Sequence, residues 1–290
     1  MNVQPNHKVA LLQTHLAVLL LAGTALFSKL IPMNATAISA GRAVIACLLL
    51  VLVVKLKGNK LRLLNHRDYA VGFLLGVLMA SHWVTYFYAM QYSTVAVGMI
   101  ALYTFPVLTV FLEPLLDKRM PALKDIVLAV FVFTGVLLMV PEFSLESQYT
   151  LGILLGVLSA VFFTLRNILN KYAFTHYSAT KNMSIQALVI AILLMPWGYD
   201  AFHQISISTL LLFLLLGTAF TALPHVLIVS GLRTLQAKSM SLIACLSPVY
   251  GAILALLILH EMPNVQTVVG GLIVLSAAIM ETLSLGRKQS

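Results

Sequence analysis

The sequence has few charged residues and only two cysteines. Of its 290 residues, 9% are Asp, Glu, Lys or Arg, whereas a soluble domain carries about 25%. A chain this poor in charge cannot cover the surface of an ordinary soluble enzyme. Cys47 and Cys245 both lie in apolar runs, so the sequence predicts no disulfide framework.

Motifs for catalysis and nucleotide binding are also missing. There is no GxSxG, no GxxxxGK[ST] phosphate loop and no Cys/His cluster. His260 and Glu261 begin like a zinc-binding HExxH, but Asn264 stands where the second histidine is needed. We therefore expect no enzyme activity, no cofactor and no metal site.

Long apolar runs make up most of the chain. Hydrophobic residues account for 60% of the sequence, and about 20 such residues in a row cross the hydrocarbon core of a bilayer. The pattern predicts an all-α membrane protein with ten transmembrane helices, at 9–28, 36–56, 69–90, 93–116, 122–140, 150–172, 180–198, 207–230, 238–260 and 264–284.

The net charge of +9 is explained by where the basic residues lie relative to the predicted spans. With the N-terminus in the cytoplasm, 15 of the 18 basic residues fall in cytoplasmic segments, Lys29 lies outside, and Arg42 and Arg166 lie within spans. This is the distribution that the positive-inside rule predicts. We therefore expect a multi-pass protein of the cell inner (plasma) membrane with both termini cytoplasmic, the bilayer as its surroundings, and no nucleic-acid partner.

Two sixteen-residue stretches resemble each other at an offset of 142 positions. PVLTVFLEPLLDKRMP occupies 106–121 and PVYGAILALLILHEMP occupies 248–263. Because five spans separate the copies and five is odd, the second copy must be inverted. The chain is thus predicted to contain two inverted five-helix repeats, 1–141 and 142–290.

Inverted repeats are typical of secondary transporters, which hold their substrate between the halves and expose it alternately to each side. Helices interrupted at matching positions indicate the binding site. Pro106 and Pro248 match in this way, and Pro224 predicts a further break in span eight. Prolines that only shape the helices are the alternative.

Several segments resemble a known family. WVTYFYAMQYSTVAVGMIALYTFPVLTVFLEPLL, its counterpart ending in SPVYGAILALLILHEMP, and AISAGRAVIA with Arg42 are similar to signatures of EamA-type drug/metabolite transporters. The first half departs from the pattern at Arg119, where the family often has glutamate. The resemblance implies a ten-helix carrier that exports small metabolites, amino acids commonly among them.

Aromatic and polar residues of spans three and four are candidate substrate ligands. Helical spacing puts His82 and Tyr86 on one face and Trp83 on another. Tyr103 shares a face of span four with Pro106. If the faces meet, they form an aromatic-walled cavity with a few polar tips, as small-molecule sites have. Interfacial aromatic residues around a hydrogen-bonded histidine are the alternative.

Three further ionisable side chains within spans are candidates for function. His225, or His82, could carry a coupling proton; a histidine bonded to a backbone carbonyl is the alternative. Arg42, about 9 Å into span two, could bind a substrate carboxylate, pair with carbonyls, or reach the outer surface. For Arg166, nearer the inner end of span six, extension to the membrane surface is expected.

Together these features predict an exporter of neutral or aromatic amino acids that works by alternating access. Amines, nucleosides, other amphipathic metabolites and a passive channel remain alternatives. The motifs GFLLG at 72–76 and GILLG at 152–156 predict close helix contacts. These motifs do not decide whether the protein forms a homodimer.

Overall fold

A computed structural model describes residues 7–58, 60–116, 118, 120, 122–140, 144, 146–203, 205–224, 227–228, 235 and 243–288. These residues form helices and no strand, so the predicted all-α class is confirmed over them. In chain order the helices are α1 His7–Gly23, α2 Phe27–Leu30, α3 Ala35–Leu56, α4 His66–Tyr92, α5 Val95–Leu102, α6 Phe105–Leu116, α7 Leu123–Leu138, α8 Gln148–Ala173, α9 Ala179–Phe202, α10 Ile207–Gly217, α11 Ser247–Leu254 and α12 Val265–Lys288.

Five described helices are long and apolar enough to cross a membrane: Lys8–Leu30, Ala35–Leu56, His66–Tyr92, Gln148–Ala173 and Ala179–Tyr199. Shorter apolar helices occupy Val95–Thr109, Ile126–Leu138, Ile207–Ala222, Ser247–Leu259 and Val265–Met280. The chain is therefore a multi-pass membrane protein. The total of ten spans remains a prediction.

Short polar residues start several of these helices. Asn34, Asn65, Thr94 and Ser206 each accept a hydrogen bond on the side-chain oxygen from the backbone N–H three residues ahead, at 2.9–3.2 Å. Each satisfies a donor that has no partner within the helix, which stabilises the helix start by about 1 kcal/mol. These caps explain why α3, α4, α5 and α10 begin where they do.

Spans four and nine are interrupted at equivalent positions. A turn at Tyr103 and Thr104 separates α5 from α6, and Pro106 is the second residue of α6. A turn at 245–246, again 142 positions later, precedes α11, where Pro248 is the second residue. Proline lacks a backbone N–H and suits a helix start. The two halves are therefore interrupted at matching positions, with each proline just after the break. That these prolines act as hinges stays a prediction.

Span eight also departs from a regular α-helix. Thr218–Ala222 is π-helical and leads directly to Pro224, which is buried. Because Pro224 has no backbone N–H, a carbonyl in the preceding turn loses its usual hydrogen-bond donor. This favours a local change from α-helical to π-helical geometry. His225 lies outside the described residues.

Glycines let helices of the two halves approach closely. Gly72 and Gly76 of α4 face Ile185 and Val189 of α9, and a Cβ at either position would crowd those side chains. Gly152 and Gly156 of α8 likewise face the end of α4 and the middle of α5. Both small-residue motifs therefore make helix contacts inside one chain, which confirms the predicted close packing.

Candidate functional site

A cavity of about 580 Å³ lies between the two halves of the chain. Its volume falls within the range of small-molecule sites. Helices α1, α3, α4, α8, α9 and α11 contribute to it, as does the break in span four. The described lining residues are Thr14, Val18, Leu21, Thr24, Arg42, Leu50, Met79, His82, Trp83, Tyr86, Leu102, Tyr103, Phe105, Phe163, Arg166, Asn170, Ala179, Thr180, Asn182, Met183, Ile228, Ala244 and Ser247.

The cavity extends from the middle of α4 toward one end of the bundle. Asn170 in the last turn of α8 and Ala179 at the start of α9 line it, and Ala179 is exposed. We call this the Asp68 end, because α4 begins there. Toward the opposite end, where α4 finishes, Phe27, Phe87, Met90 and Val95 form a fully buried core. The described lining residues therefore reach the Asp68 end, and a buried apolar core lies between them and the other end.

Polar contacts between the halves reinforce the closed end, which we call the Glu261 end. Glu261 Oε2 accepts a hydrogen bond from the N–H of Val95 at 2.8 Å, and Oε1 lies 3.9 Å from Lys29 Nζ. Lys29 Nζ also donates to the carbonyls of Gln91 and Ser93 at 3.3 and 3.2 Å. A carboxylate at the start of α5 is favoured by the partial positive charge of a helix N-terminus. Glu261 thus caps the start of α5 from the other half of the chain.

At the Asp68 end, the connection between α8 and α9 is bonded to the start of α4. Tyr177 donates its hydroxyl to Asp68 Oδ2 at 2.6 Å and accepts from the N–H of Leu64 at 2.7 Å. Burial and the bond to Asp68 together raise the pKa of the Tyr177 phenol. Lys181 Nζ donates to the carbonyl of Arg62 at 2.7 Å. These bonds position the segment beside the cavity residues at the Asp68 end.

Arg42 lines the middle of the cavity and is 4% exposed. Its Nε donates to Thr221 Oγ1 at 2.8 Å, and its guanidinium carbon lies 3.9 Å from the centroid of the Trp83 ring. Thr221 belongs to the π-helical segment and donates to the carbonyl of Leu216, five residues earlier, at 2.7 Å. The irregular turn in span eight thus supplies the side chain that orients Arg42, as π-bulges often do at functional sites.

His82 is held by a pair of hydrogen bonds to Ser159 of α8. Its Nδ1 lies 2.7 Å from Ser159 Oγ, and the Ser159 hydroxyl is 3.0 Å from the carbonyl of His82. A hydroxyl has one hydrogen, so both bonds form together only when Nδ1 carries the proton. That tautomer leaves Nε2 as an acceptor on a residue that lines the cavity. Tyr86 and Phe163 flank the ring, with centroids 5.8 and 4.7 Å away.

The two helix breaks meet at one side of the cavity. The Tyr103 hydroxyl, in the first break, donates to the carbonyl of Ala244, just before the second. Carbonyls next to a break lack their usual helical partner, so a side-chain donor satisfies one here. Ser247 at the start of α11 lines the cavity beside this bond. The matching interruptions therefore lie at the cavity, where inverted-repeat transporters bind substrate.

The structure brings five of the predicted ligands together: Arg42, His82, Trp83, Tyr86 and Tyr103 all line the cavity. Trp83 lines the cavity although helical spacing puts it on a different face of α4 from His82, and its ring lies against the Arg42 guanidinium. Pro106, Pro248 and Pro224 are not among the described lining residues, and their role as helix breaks or hinges stays a prediction. Substrate binding by the five side chains stays a prediction.

Arg166 was expected to extend to the membrane surface, and that expectation is wrong. It lines the cavity, with Nε donating to Gln186 Oε1 at 2.9 Å and Nη1 to Asn167 Oδ1 at 3.0 Å. Amide oxygens on α8 and α9 hold the guanidinium inside the bundle. The sequence did contain a signal for a site residue here, because an ionisable side chain within a span is a candidate for function. Ser159 and Thr221, by contrast, carry no distinguishing pattern in the sequence.

Comparisons with known proteins agree with this architecture. The sequence model described as the EamA-like transporter family matches twice, over residues 8–140 and 150–283. A search of curated proteins finds no match. Among solved structures 27 chains match; in one crystal structure the likeness covers 98% of this chain and 100% of that one, with a TM-score of 0.64 at 16% identity. At that identity the likeness shows the fold alone.

Proposed function

The chain belongs to the EamA-like transporter family, and we propose that it is a ten-span secondary transporter that exports a small organic solute by alternating access. The observation that carries the proposal is the cavity between the halves, whose lining reaches exposed Ala179 at the Asp68 end and is separated from the Glu261 end by a buried apolar core. We take the cavity as accessible from the Asp68 end and closed at the Glu261 end. A carrier needs a site that is exposed to one side at a time. An open channel would have no closed end.

The contacts between the halves suggest how the site changes sides. Glu261 and Val95 belong to different halves, and their bond is part of the closed end. Rocking one half against the other would break that bond and separate the apolar core around Phe87 and Met90. The bond from Tyr103 to Ala244 lies at the junction of the two broken helices, where it can serve as a pivot.

The proposed topology assigns a direction to the accessible end. We take residues 1–141 and 142–290 as inverted five-helix halves, with both termini cytoplasmic in the inner membrane. The basic residues Arg62, Arg67 and Lys181 then face the cytoplasm at the Asp68 end. Under this arrangement the described state takes solute from the cytoplasm and releases it outside.

Neutral or aromatic amino acids are the substrate class that we propose. Tyr86, Tyr103, Phe105 and Phe163 provide aromatic walls, which suit a planar or apolar side chain. In the proposed site, His82 Nε2 accepts a hydrogen bond from the solute. Amines, nucleosides and other amphipathic metabolites are the competing classes, and the working unit as a homodimer and coupling to a proton through His82 stay predictions.

Counterflow in liposomes tests the proposal. Vesicles containing the purified protein are preloaded with one unlabelled amino acid class, and labelled solute is added outside. A carrier accumulates label transiently above equilibrium, whereas a channel only equilibrates. His82→Ala and Tyr86→Ala should abolish the accumulation, and Leu74→Ala, a 47%-exposed position on the same helix, should not. Folded protein without counterflow for any class would reject the proposed function.

A further inference from the structure

The described lining of the cavity includes two guanidinium groups and no carboxylate. Arg42 and Arg166 both line it, and the described lining residues include no aspartate or glutamate. The acidic side chains that the structure describes lie at the ends of the bundle or in a connection: Asp68, Glu146 and Glu261. A charge buried in a membrane protein without a counter-charge is costly, so such residues normally pair or line a polar pathway. Among the described lining residues, the two positive charges therefore have no negative partner, and a bound anion would supply one.

The contacts of Arg42 leave one side of its guanidinium available. Its Nε is used by Thr221, and one face of the group is covered by the Trp83 ring. Within the described residues its two terminal nitrogens make no hydrogen bond. The N–H groups of these two nitrogens lie parallel at the end of the guanidinium. They can donate one hydrogen bond to each oxygen of a single carboxylate. A buried side chain aimed at the cavity thus presents a preorganised carboxylate site.

Arg166 adds a second positive group on α8, one turn before Asn170 on the side of the accessible end. Its Nε and Nη1 are held by neutral amide oxygens, so its charge is not cancelled by those partners. The acceptors available to a cationic group in the cavity, such as His82 Nε2, are neutral. Among the described lining residues, a cation would therefore meet like charge at Arg42 and Arg166 and no compensating carboxylate.

We propose that the cavity selects organic acids: a carboxylate binds end-on to Arg42, and an ammonium group on the substrate is dispensable. The inference rests on the proposed function and narrows its substrate class, because it ranks carboxylates above amines and treats an amino acid as one acid among others. Aromatic acids fit best, since the same cavity is walled by Tyr86, Tyr103, Phe105 and Phe163.

Three probes that share a phenyl ring separate the charges. We would compare 3-phenylpropanoate, which has only a carboxylate, phenylalanine, which has both groups, and 2-phenylethylamine, which has only an ammonium. Binding to the purified full-length protein is read from the ligand-dependent rise in its unfolding temperature and from titration calorimetry. We expect 3-phenylpropanoate to bind at least as tightly as phenylalanine, and 2-phenylethylamine at least tenfold more weakly, or about 1.4 kcal/mol.

Substitutions then assign the selectivity to Arg42. Arg42→Gln should weaken carboxylate binding by at least tenfold, and Arg42→Lys should recover part of it, because lysine keeps the charge but lacks the fork. Lys55→Gln removes the same charge from an exposed position of the same helix and should bind like the wild type. The probe series on unmodified protein tests the inference even if Arg42→Gln does not fold.

The outcomes separate this inference from the carrier proposal. Carboxylate binding without counterflow would support the inference and reject the carrier. Counterflow of 2-phenylethylamine at the rate of the acids would support the carrier and overturn the inference. Carboxylate binding that is unchanged in folded Arg42→Gln would also overturn it, as would folded wild-type protein that binds none of the three probes.

Discussion

Glu261→Gln is expected to open the closed end of the cavity. The substitution keeps the shape of the side chain and one acceptor oxygen for the N–H of Val95, now 2.8 Å away. It removes the negative charge that faces the N-terminus of α5 and Lys29 Nζ. Glu261 and Val95 belong to different halves, so their bond forms only when this end is closed. The substitution therefore destabilises the closed state relative to the open state.

The magnitude follows from two contributions. A carboxylate at a partly buried helix N-terminus contributes about 0.3–2 kcal/mol. The pair with Lys29, at 3.9 Å and with side chains 29% and 20% exposed, adds at most about 1 kcal/mol because solvent screens it. A total of about 1–2 kcal/mol corresponds to a roughly 5- to 30-fold shift in population. A closed state that dominates in the wild type would then coexist with an open state.

Pulsed electron spin resonance can measure this shift. Spin labels at Tyr92→Cys and Met262→Cys report the separation of the halves, since both positions are exposed at the Glu261 end. The buried Cys47 and Cys245 are first replaced by alanine.

In the labelled protein, Glu261→Gln should add a population at longer distance. Glu146→Gln, an exposed acid in the connection before α8, should leave the distribution unchanged. Identical distributions for Glu261→Gln and the parent protein would refute the reasoning that this carboxylate holds the end closed.

Three further substitutions test the packing and the site. Gly76→Val should lower the unfolding free energy by about 1–3 kcal/mol, because the added side chain meets Val189 on a neighbouring helix; a melting temperature equal to that of the wild type would contradict this packing. Trp83→Leu removes the ring beneath Arg42 and should weaken substrate binding by about 0.5–2 kcal/mol, measured by calorimetry; unchanged affinity would exclude the ring from the site. Tyr103→Phe loses the bond between the two helix breaks and should slow counterflow at unchanged expression; a wild-type rate would reject its role as a pivot.

Local features of this protein follow from its sequence alone. Helix positions could be predicted because runs of apolar residues in a membrane must satisfy their backbone groups within the segment. Helix starts could be predicted at residues such as Asn34 and Asn65, because their side chains accept a hydrogen bond from the backbone N–H three positions ahead. The interruptions at Pro106 and Pro248 could be predicted because proline lacks the N–H that a continuous helix requires.

The candidate site could be predicted only in part. Arg42, His82, Trp83, Tyr86 and Tyr103 stand out as polar or aromatic residues in apolar spans. Their partners do not, since Ser159 and Thr221 resemble many other small polar residues of membrane helices. Hydropathy also cannot separate a face that meets lipid from one that meets another helix, because both are apolar.

Only the tertiary structure decided what these side chains do. Arg42 meets Thr221 across 179 positions of sequence, and Arg166 turns inward because amides of two helices hold it. Closure at the Glu261 end likewise joins residues 166 positions apart. Composition and periodicity carry information about single helices. The charge of a cavity and the end at which it closes depend on how helices that are distant in sequence pack together. The sequence determined the helices and their repeat; the packing decided the site.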